Sequence, residues 1–410
     1  MCEQIGKQGS RFQMNNVFFP LSRIKKTICC EITPANAYTF FVASWACNSS
    51  KKMEIKKLFI PGPTYVHPDV LAKMGTPMIG HRTKEASELQ RNITRKMQQL
   101  MFTENKIVLS TSSGTGLMEG AIRSATQKKA IVFSVGAFGK RWYELARLNG
   151  IDADLHEEIS GHATLPETVE GYLKTGKYDT VAITHNETSV GIMNPVEAIA
   201  VVMKKYPEVV WMLDCVSSLG GAKIEVDRLG VDICITSSQK ALALPPGLSI
   251  ASVSQKAIDR FEKIGPRGYY LDLGTMLKFI EKKDHQYHCT PSLSHMFALD
   301  FQLDRIEKEK AENRFIRHIE MAEYMINWAN HYFEVYCMPG FESLTVTCIR
   351  NTRNINVSEL NKQLAERGML ISNGYGELKD KTFRIGHMGD LNLDDVQELT
   401  GEMEKILKLD

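Results

Sequence analysis

The chain has 410 residues, 43% hydrophobic and 24% charged, which excludes disorder and collagen-like repeats and suits about two to three domains with a sizeable core. A formal net charge of +2 is too small for an electrostatic nucleic-acid binder, and no apolar run reaches the roughly 18 residues of a membrane span. The nine cysteines form no CxxC pair, so neither a metal site nor a disulfide framework is indicated, and a reducing, cytoplasmic setting is expected.

Residues 1–52 differ from the rest. They carry four of the nine cysteines and a charge of +5, against −3 for residues 53–410. Their apolar patch, Ala37 to Cys47, is short and lies too far from the first residue for an ordinary secretory signal. The segment reads as a disordered extension, or as upstream sequence translated from an early start with Met53 as the working initiator.

From Met53 onward strands and helices alternate. Lys106–Thr111 reads as a buried strand with Gly116–Ser124 as the helix behind it. Strand Ala130–Val135 and helix Gly139–Leu148 follow, then strand Thr180–Thr184 and helix Pro195–Lys205, then strands Val209–Leu213 and Asp232–Thr236. Apolar strands separated by amphipathic helices imply an α/β fold with a mostly parallel sheet covered on both faces. After Pro291 a long charged helical stretch, Ser294–Asn330, leads to strands Thr345–Ile349 and Thr382–Ile385. A closing helix places Val396, Leu399, Met403 and Ile406 on one face, the pattern of a smaller α+β domain.

In such folds function collects where strand ends meet helix N-termini, and three strand ends stand out. Thr111-Ser112-Ser113-Gly114-Thr115-Gly116 offers small residues that let N–H groups and hydroxyls approach an anion, with phosphate the natural guest. Its glycines match neither a dinucleotide fingerprint nor a P-loop, and alone it reads as an ordinary strand–helix turn. Asp214 ends a run of apolar strand residues, where a carboxylate is costly unless it meets a cation or serves as a cap. Lys240, in Ser237-Ser238-Gln239-Lys240, lies at the next strand end. Alone it reads as a surface lysine, but buried there its amine would lose charge and become available for Schiff-base chemistry. Together they make a site for pyridoxal phosphate (PLP): a phosphate loop, a carboxylate for the pyridine nitrogen, and a lysine for the aldehyde carbon.

The sequence resembles the class V aminotransferases of PLP fold type I, and within them the alanine–glyoxylate and serine–pyruvate aminotransferase group. The resemblance covers nearly all of residues 55–410. It is carried by Pro61-Gly62-Pro63-Thr64, Ser113-Gly114-Thr115-Gly116, Thr184-His185-Asn186-Glu187-Thr188, Leu213-Asp214-Cys215, Ser238-Gln239-Lys240, Pro245-Pro246-Gly247 and Phe383-Arg384-Ile385-Gly386. It implies that Lys240 is the Schiff-base lysine and that Gln239, Ser113, Gly114 and Thr115 bind the phosphate. Phe138 would stack on the pyridine ring, Thr188 would contact the phenolic oxygen, and Asp214 the ring nitrogen. Tyr287 and Thr290 match residues that reach the phosphate of the neighbouring subunit's cofactor, implying a homodimer with shared sites. Arg384 resembles the clamp for the substrate α-carboxylate, with Gly62 beside it.

The resemblance implies a transaminase moving the amino group of alanine or serine to glyoxylate or pyruvate. His81-Arg82 resembles a feature of phosphoserine aminotransferases that helps hold a substrate phosphate; a structural role at the domain junction is the alternative. A cysteine desulfurase shares the fold and would need a reactive cysteine, for which Cys337 and Cys348 are the candidates by position. The domain reading is residues 1–52 unassigned, 53–292 a large PLP-binding domain with an N-terminal arm, and 293–410 a small C-terminal domain. No nucleic acid, membrane or metal partner is expected.

Overall fold

A computed structural model describes residues 56–409; the extension at residues 1–52 lies outside them. The larger of two main sheets has seven strands, in the order Lys106–Ser110, Ser249–Val253, Ile233–Ser237, Val210–Asp214, Thr180–Thr184, Ala130–Ser134 and Ala153–Glu157. Its interior is built from near-continuous apolar strands: Val210–Asp214, Thr180–Thr184 and Ile233–Ser237 are buried at every position. Strands buried on both faces need helices on both faces, and two large apolar clusters lie against the sheet. One strand, Ser249–Val253, runs antiparallel to both neighbours. The short connection from Ser237 to Ser249 carries the Lys240 turn and leaves no room for the crossover helix that a parallel return would need.

The sequence reading is close for the central strands. It differs where composition is weak. Ser249–Val253 is serine-rich and was not predicted, and Ala153–Glu157 is a polar edge strand whose burial is mostly partial. The predicted long helix at Ser294–Asn330 is two helices, Leu293–Glu309 and Ala311–Tyr332, broken at Lys310, which takes φ +70°. No helix among the described residues is long and apolar enough to cross a membrane.

The second sheet has five strands, in the order Lys57–Phe59, Met369–Asn373, Thr382–Gly386, Val346–Arg350 and Glu334–Val335. Its first strand comes from the start of the described chain and pairs in parallel with Met369–Ile371. Two glycines then let this strand's exit run close to other backbone. A Cβ on Gly386 would lie 2.4 Å from the carbonyl oxygen of Ile60. Gly62, at φ +117°, has no room for one either, since it would lie 2.7–2.9 Å from the outer atoms of Lys240. Residues Ile60–Pro63 thus pass between the strand that carries Arg384 and the turn that carries Lys240.

Candidate active site

The carboxyl ends of the parallel strands open on a cavity of about 250 Å³. Among the predicted residues, Gly62, Ser113, Gly114, Thr115, Phe138, Thr188, Asp214, Gln239 and Lys240 line it. Three strand ends far apart in sequence therefore converge, as the crevice rule for open α/β sheets requires.

Asp214 closes its strand at 4% exposure. Its Oδ1 accepts from the backbone N–H of Val216 at 2.8 Å. Burial pushes its carboxyl up to about 6, opposed by that hydrogen bond and by the charge of Lys240. Lys240 reaches into the cavity, enclosed by protein on its other sides, and its Nζ donates to the carbonyl of Pro61. Burial lowers its amine to about 8, with Asp214 opposing and the Arg384 charge assisting. A lysine at this value carries a substantial free-amine fraction near neutral pH.

The helix Gly114–Ala125 starts at the cavity, and the Ser113 side chain makes no capping bond to it. Its first N–H groups therefore face the cavity with their partial positive charge, which suits a phosphate. Gln239 holds its side-chain oxygen on Ser237 Oγ. Thr188 Oγ1 and Ser217 Oγ lie 2.5 Å apart, and Asn186, 2% exposed, lines the cavity with an Oδ1 that has no partner among the described residues. An uncapped helix start, an orphaned buried oxygen, and a carboxylate and amine without ion-pair partners among the described residues fit a group bearing a phosphate, polar ring atoms and an aldehyde.

Phe138 is set by a buried anchor. Glu187, fully buried, accepts from the N–H groups of Phe138 at 2.9 Å and Gly139 at 3.0 Å through Oε2, and from Ser189 N and Oγ through Oε1. This caps the helix Ala137–Leu148 and fixes the ring, whose centroid lies 5.9 Å from Lys240 Nζ. Arg384 is 8% exposed, with Nη1 donating to Thr188 O at 3.1 Å and Nε to Asn373 O at 3.2 Å. It borders the site through Thr188 but does not itself line the cavity.

Four predicted residues are not brought to the cavity of their own chain. His81 and Arg82 lie away from it. Arg82 is exposed, donates to the carbonyl of Tyr287, and accepts from Gln286 Nε2 through its own carbonyl at 3.2 Å. Within its own chain Arg82 thus braces the 286–287 loop. Thr290 is exposed, and Tyr287 is buried with its hydroxyl unpartnered among the described residues. Neither thiol suits desulfurase chemistry: Cys337 and Cys348 are buried, and burial pushes them up to about 12 and about 11. Sequence reasoning missed Arg141, Asn186, Ser217 and Pro246, which also line the cavity. Arg141 follows Phe138 by one helical turn, and that spacing was the available signal.

The architecture and this crevice define a PLP-dependent aminotransferase fold of type I. A sequence profile of the class-V aminotransferases matches residues 66–378, and the chain belongs to that family. An uncharacterized aminotransferase of Methanocaldococcus jannaschii is 37% identical over 342 residues, covering 82% of this chain and 88% of that protein. The L-aspartate–glyoxylate aminotransferase of Paracoccus denitrificans is 28% identical, covering 84% and 88%. The crystal structure of alanine–glyoxylate aminotransferase from Nostoc sp. superposes with a TM-score of 0.81 at 26% identity, covering 88% of this chain and 97% of that one. The chain is accordingly an aminotransferase that depends on PLP.

Proposed function

We propose that the enzyme moves the amino group of a small amino acid, alanine or serine, to a small 2-oxo acid, glyoxylate or pyruvate. The observation that carries this reading is the convergence of Lys240, Asp214 and the uncapped helix start of Ser113–Thr115 on one small cavity. Glyoxylate appears in the names of both the Nostoc and the Paracoccus proteins, which supports it as acceptor.

Bound PLP supplies an electron sink for the substrate α-carbon. Ser113, Gly114, Thr115 and Gln239 would hold its phosphate, Phe138 would stack on its ring, and Thr188 would contact its phenolic oxygen. Asp214, ionised above about pH 6, would hold a proton on the ring nitrogen. Lys240 Nζ, freed when the donor's amine takes its place, would act as general base at the α-carbon and return the proton as general acid. Arg384 would orient the α-carboxylate with a two-pronged contact that lysine makes poorly. Glu187 would keep Phe138 in place. The site would be shared in a homodimer, with Tyr287 and Thr290 serving the partner's phosphate; the exposure of Thr290 at the surface of its own chain supports this.

A panel of amino and oxo acids, read by the visible absorbance of the bound cofactor and by product formation, tests the proposal. Alanine or serine with glyoxylate should form the best couple. A far higher efficiency for phosphoserine with 2-oxoglutarate would replace this reading with a phosphoserine aminotransferase. For the dimer, mixing Lys240→Ala with Tyr287→Ala/Thr290→Ala subunits should restore activity through exchange. No gain in confirmed heterodimers would place the whole site in one chain.

A further inference from the structure

We propose that Arg141 determines donor specificity by binding a side chain that ends in an anion, so that a dicarboxylic amino acid such as aspartate is a substrate alongside the small ones. The inference rests on the transaminase reading and deepens it.

Arg141 lines the cavity, yet it forms no ion pair among the described residues. Its guanidinium lies 4.9 Å from the centroid of Phe138, and its one hydrogen bond among the described residues is a long one, Nη2 to Tyr375 Oη at 3.4 Å. The preceding residue shows the contrast. Lys140, facing away from the cavity, is paired with Glu157 at 2.6 Å. A half-buried cation without a carboxylate at the mouth of a ligand cavity is a recognition group waiting for an anion. Tyr375 links it to the other cation of the site. The Arg384 guanidinium lies 5.4 Å from the Tyr375 ring centroid, and the Phe138 and Tyr375 rings are 5.8 Å apart. Two guanidinium groups thus bracket one tyrosine. With Arg384 taking the α-carboxylate, Arg141 faces the substrate's far end.

The chemistry balances without further reactants. Aspartate gives up its amino group to glyoxylate, yielding oxaloacetate and glycine, and no external oxidant or reductant is needed. A carboxylate and a phosphate monoester share the charge that Arg141 would recognise, so aspartate and phosphoserine form separate arms of the test.

The experiment compares kcat/KM for aspartate, phosphoserine and alanine in the holoenzyme and in Arg141→Gln and Arg141→Lys. The aspartate-to-alanine ratio should fall about ten- to a hundredfold in Arg141→Gln, mostly through KM, and by less in Arg141→Lys, which keeps the charge but loses the fork. A larger fall for phosphoserine than for aspartate would identify phosphate as the recognised anion. An unchanged ratio, with all donors reduced together, would overturn the proposal and leave Arg141 a support for Phe138. As a readout independent of turnover, succinate should raise the thermal midpoint more than butyrate does in the unaltered protein and lose that advantage in Arg141→Gln. Equal protection by both acids in the unaltered protein would also overturn it. If no donor is transaminated at all, the transaminase reading fails, while the succinate comparison still decides the role of Arg141.

Discussion

Arg314 and Lys240 are both enclosed cations near the same turn, but their surroundings are opposite. Arg314, 1% exposed, donates to the carbonyls of Gly220 at 3.0 Å and Ala241 at 2.8 Å, and pairs with Glu309 at 2.8 Å and Asp390 at 3.2 Å. Gly220 belongs to the loop after Asp214 and Ala241 follows Lys240, so Arg314 ties together the two segments that carry Asp214 and Lys240. Its hydrogen-bonding capacity is largely consumed by its own chain. The Lys240 and Asp214 side chains each make a single hydrogen bond among the described residues, and burial has shifted both towards neutrality. A fully paired cluster holds the scaffold. An underpaired one is kept available for a guest, and it costs stability until the guest arrives.

The sharpest break in this comparison comes from the two cations themselves. Lys240→Ala should lower turnover on the order of 10²–10⁴-fold and abolish borohydride trapping of PLP on its peptide, without loss of stability in the cofactor-free protein. Turnover with trapping in Lys240→Ala would remove the lysine from the mechanism. Arg314→Met should do the reverse, lowering the unfolding free energy in urea by about 2–3 kcal/mol, because the buried carbonyls of Gly220 and Ala241 lose their donor while Glu309 and Asp390 keep Arg317 and Arg305. A loss below 1 kcal/mol would show that the cluster does not brace the fold.

Asp214 tests the cost of the open site. Its folded-state value, about 6, is raised above the ordinary carboxylate value of 3.8. The folded state therefore favours the protonated form, and that contribution is present below the unfolded value and lost as pH rises through about 6. Keeping the carboxylate ionised at pH 8 costs the cofactor-free protein on the order of 2–3 kcal/mol. Asp214→Asn should thus be more stable than the unaltered protein at pH 8, with the gain vanishing near pH 4, while losing most turnover. A destabilised variant at pH 8 would contradict the contrast. For Lys240 the sign reverses, since a cation has been lowered. Cofactor capture by the apo protein should reach half its maximal rate near pH 8 instead of near 10.5. The smallest effect should come from Arg82→Ala, a loss of about 1 kcal/mol with all donors reduced alike. A selective loss for phosphoserine would return Arg82 to the substrate site.

Most of the chemistry was legible because it sits on contiguous signals. Asp214 and Lys240 each end an apolar run, and Ser113–Thr115 joins a strand to a helix, so composition alone marks the places where backbone and charge meet. What the sequence hides is what depends on packing between distant segments. Arg141 reads as one more basic residue on an amphipathic helix that also carries Glu144 three residues on, and only its lack of an ion pair among the described residues distinguishes it. Arg314 lies in a charged stretch that looks solvated, although the bend at Lys310 turns it inward. The strand Lys57–Phe59 is too short to announce a partner more than 300 residues away. His81-Arg82 is legible only as a motif, because a resemblance to relatives says nothing about which cavity the pair faces.

That short strand also gives the site a mechanical property. From Phe59 to Gly62 the chain can span only about 10 Å even when fully extended, and Gly386 and Gly62 are the two points where it is pressed against its neighbours. The segment acts as a taut tether between the five-stranded sheet and the Lys240 amine. A shift of that sheet cannot be absorbed by slack; it must reach the Pro61 carbonyl, which holds Lys240 Nζ. The strand that carries Arg384 and the lysine are thereby coupled through backbone, so movement at Arg384 is felt at the Lys240 amine through the Pro61 carbonyl.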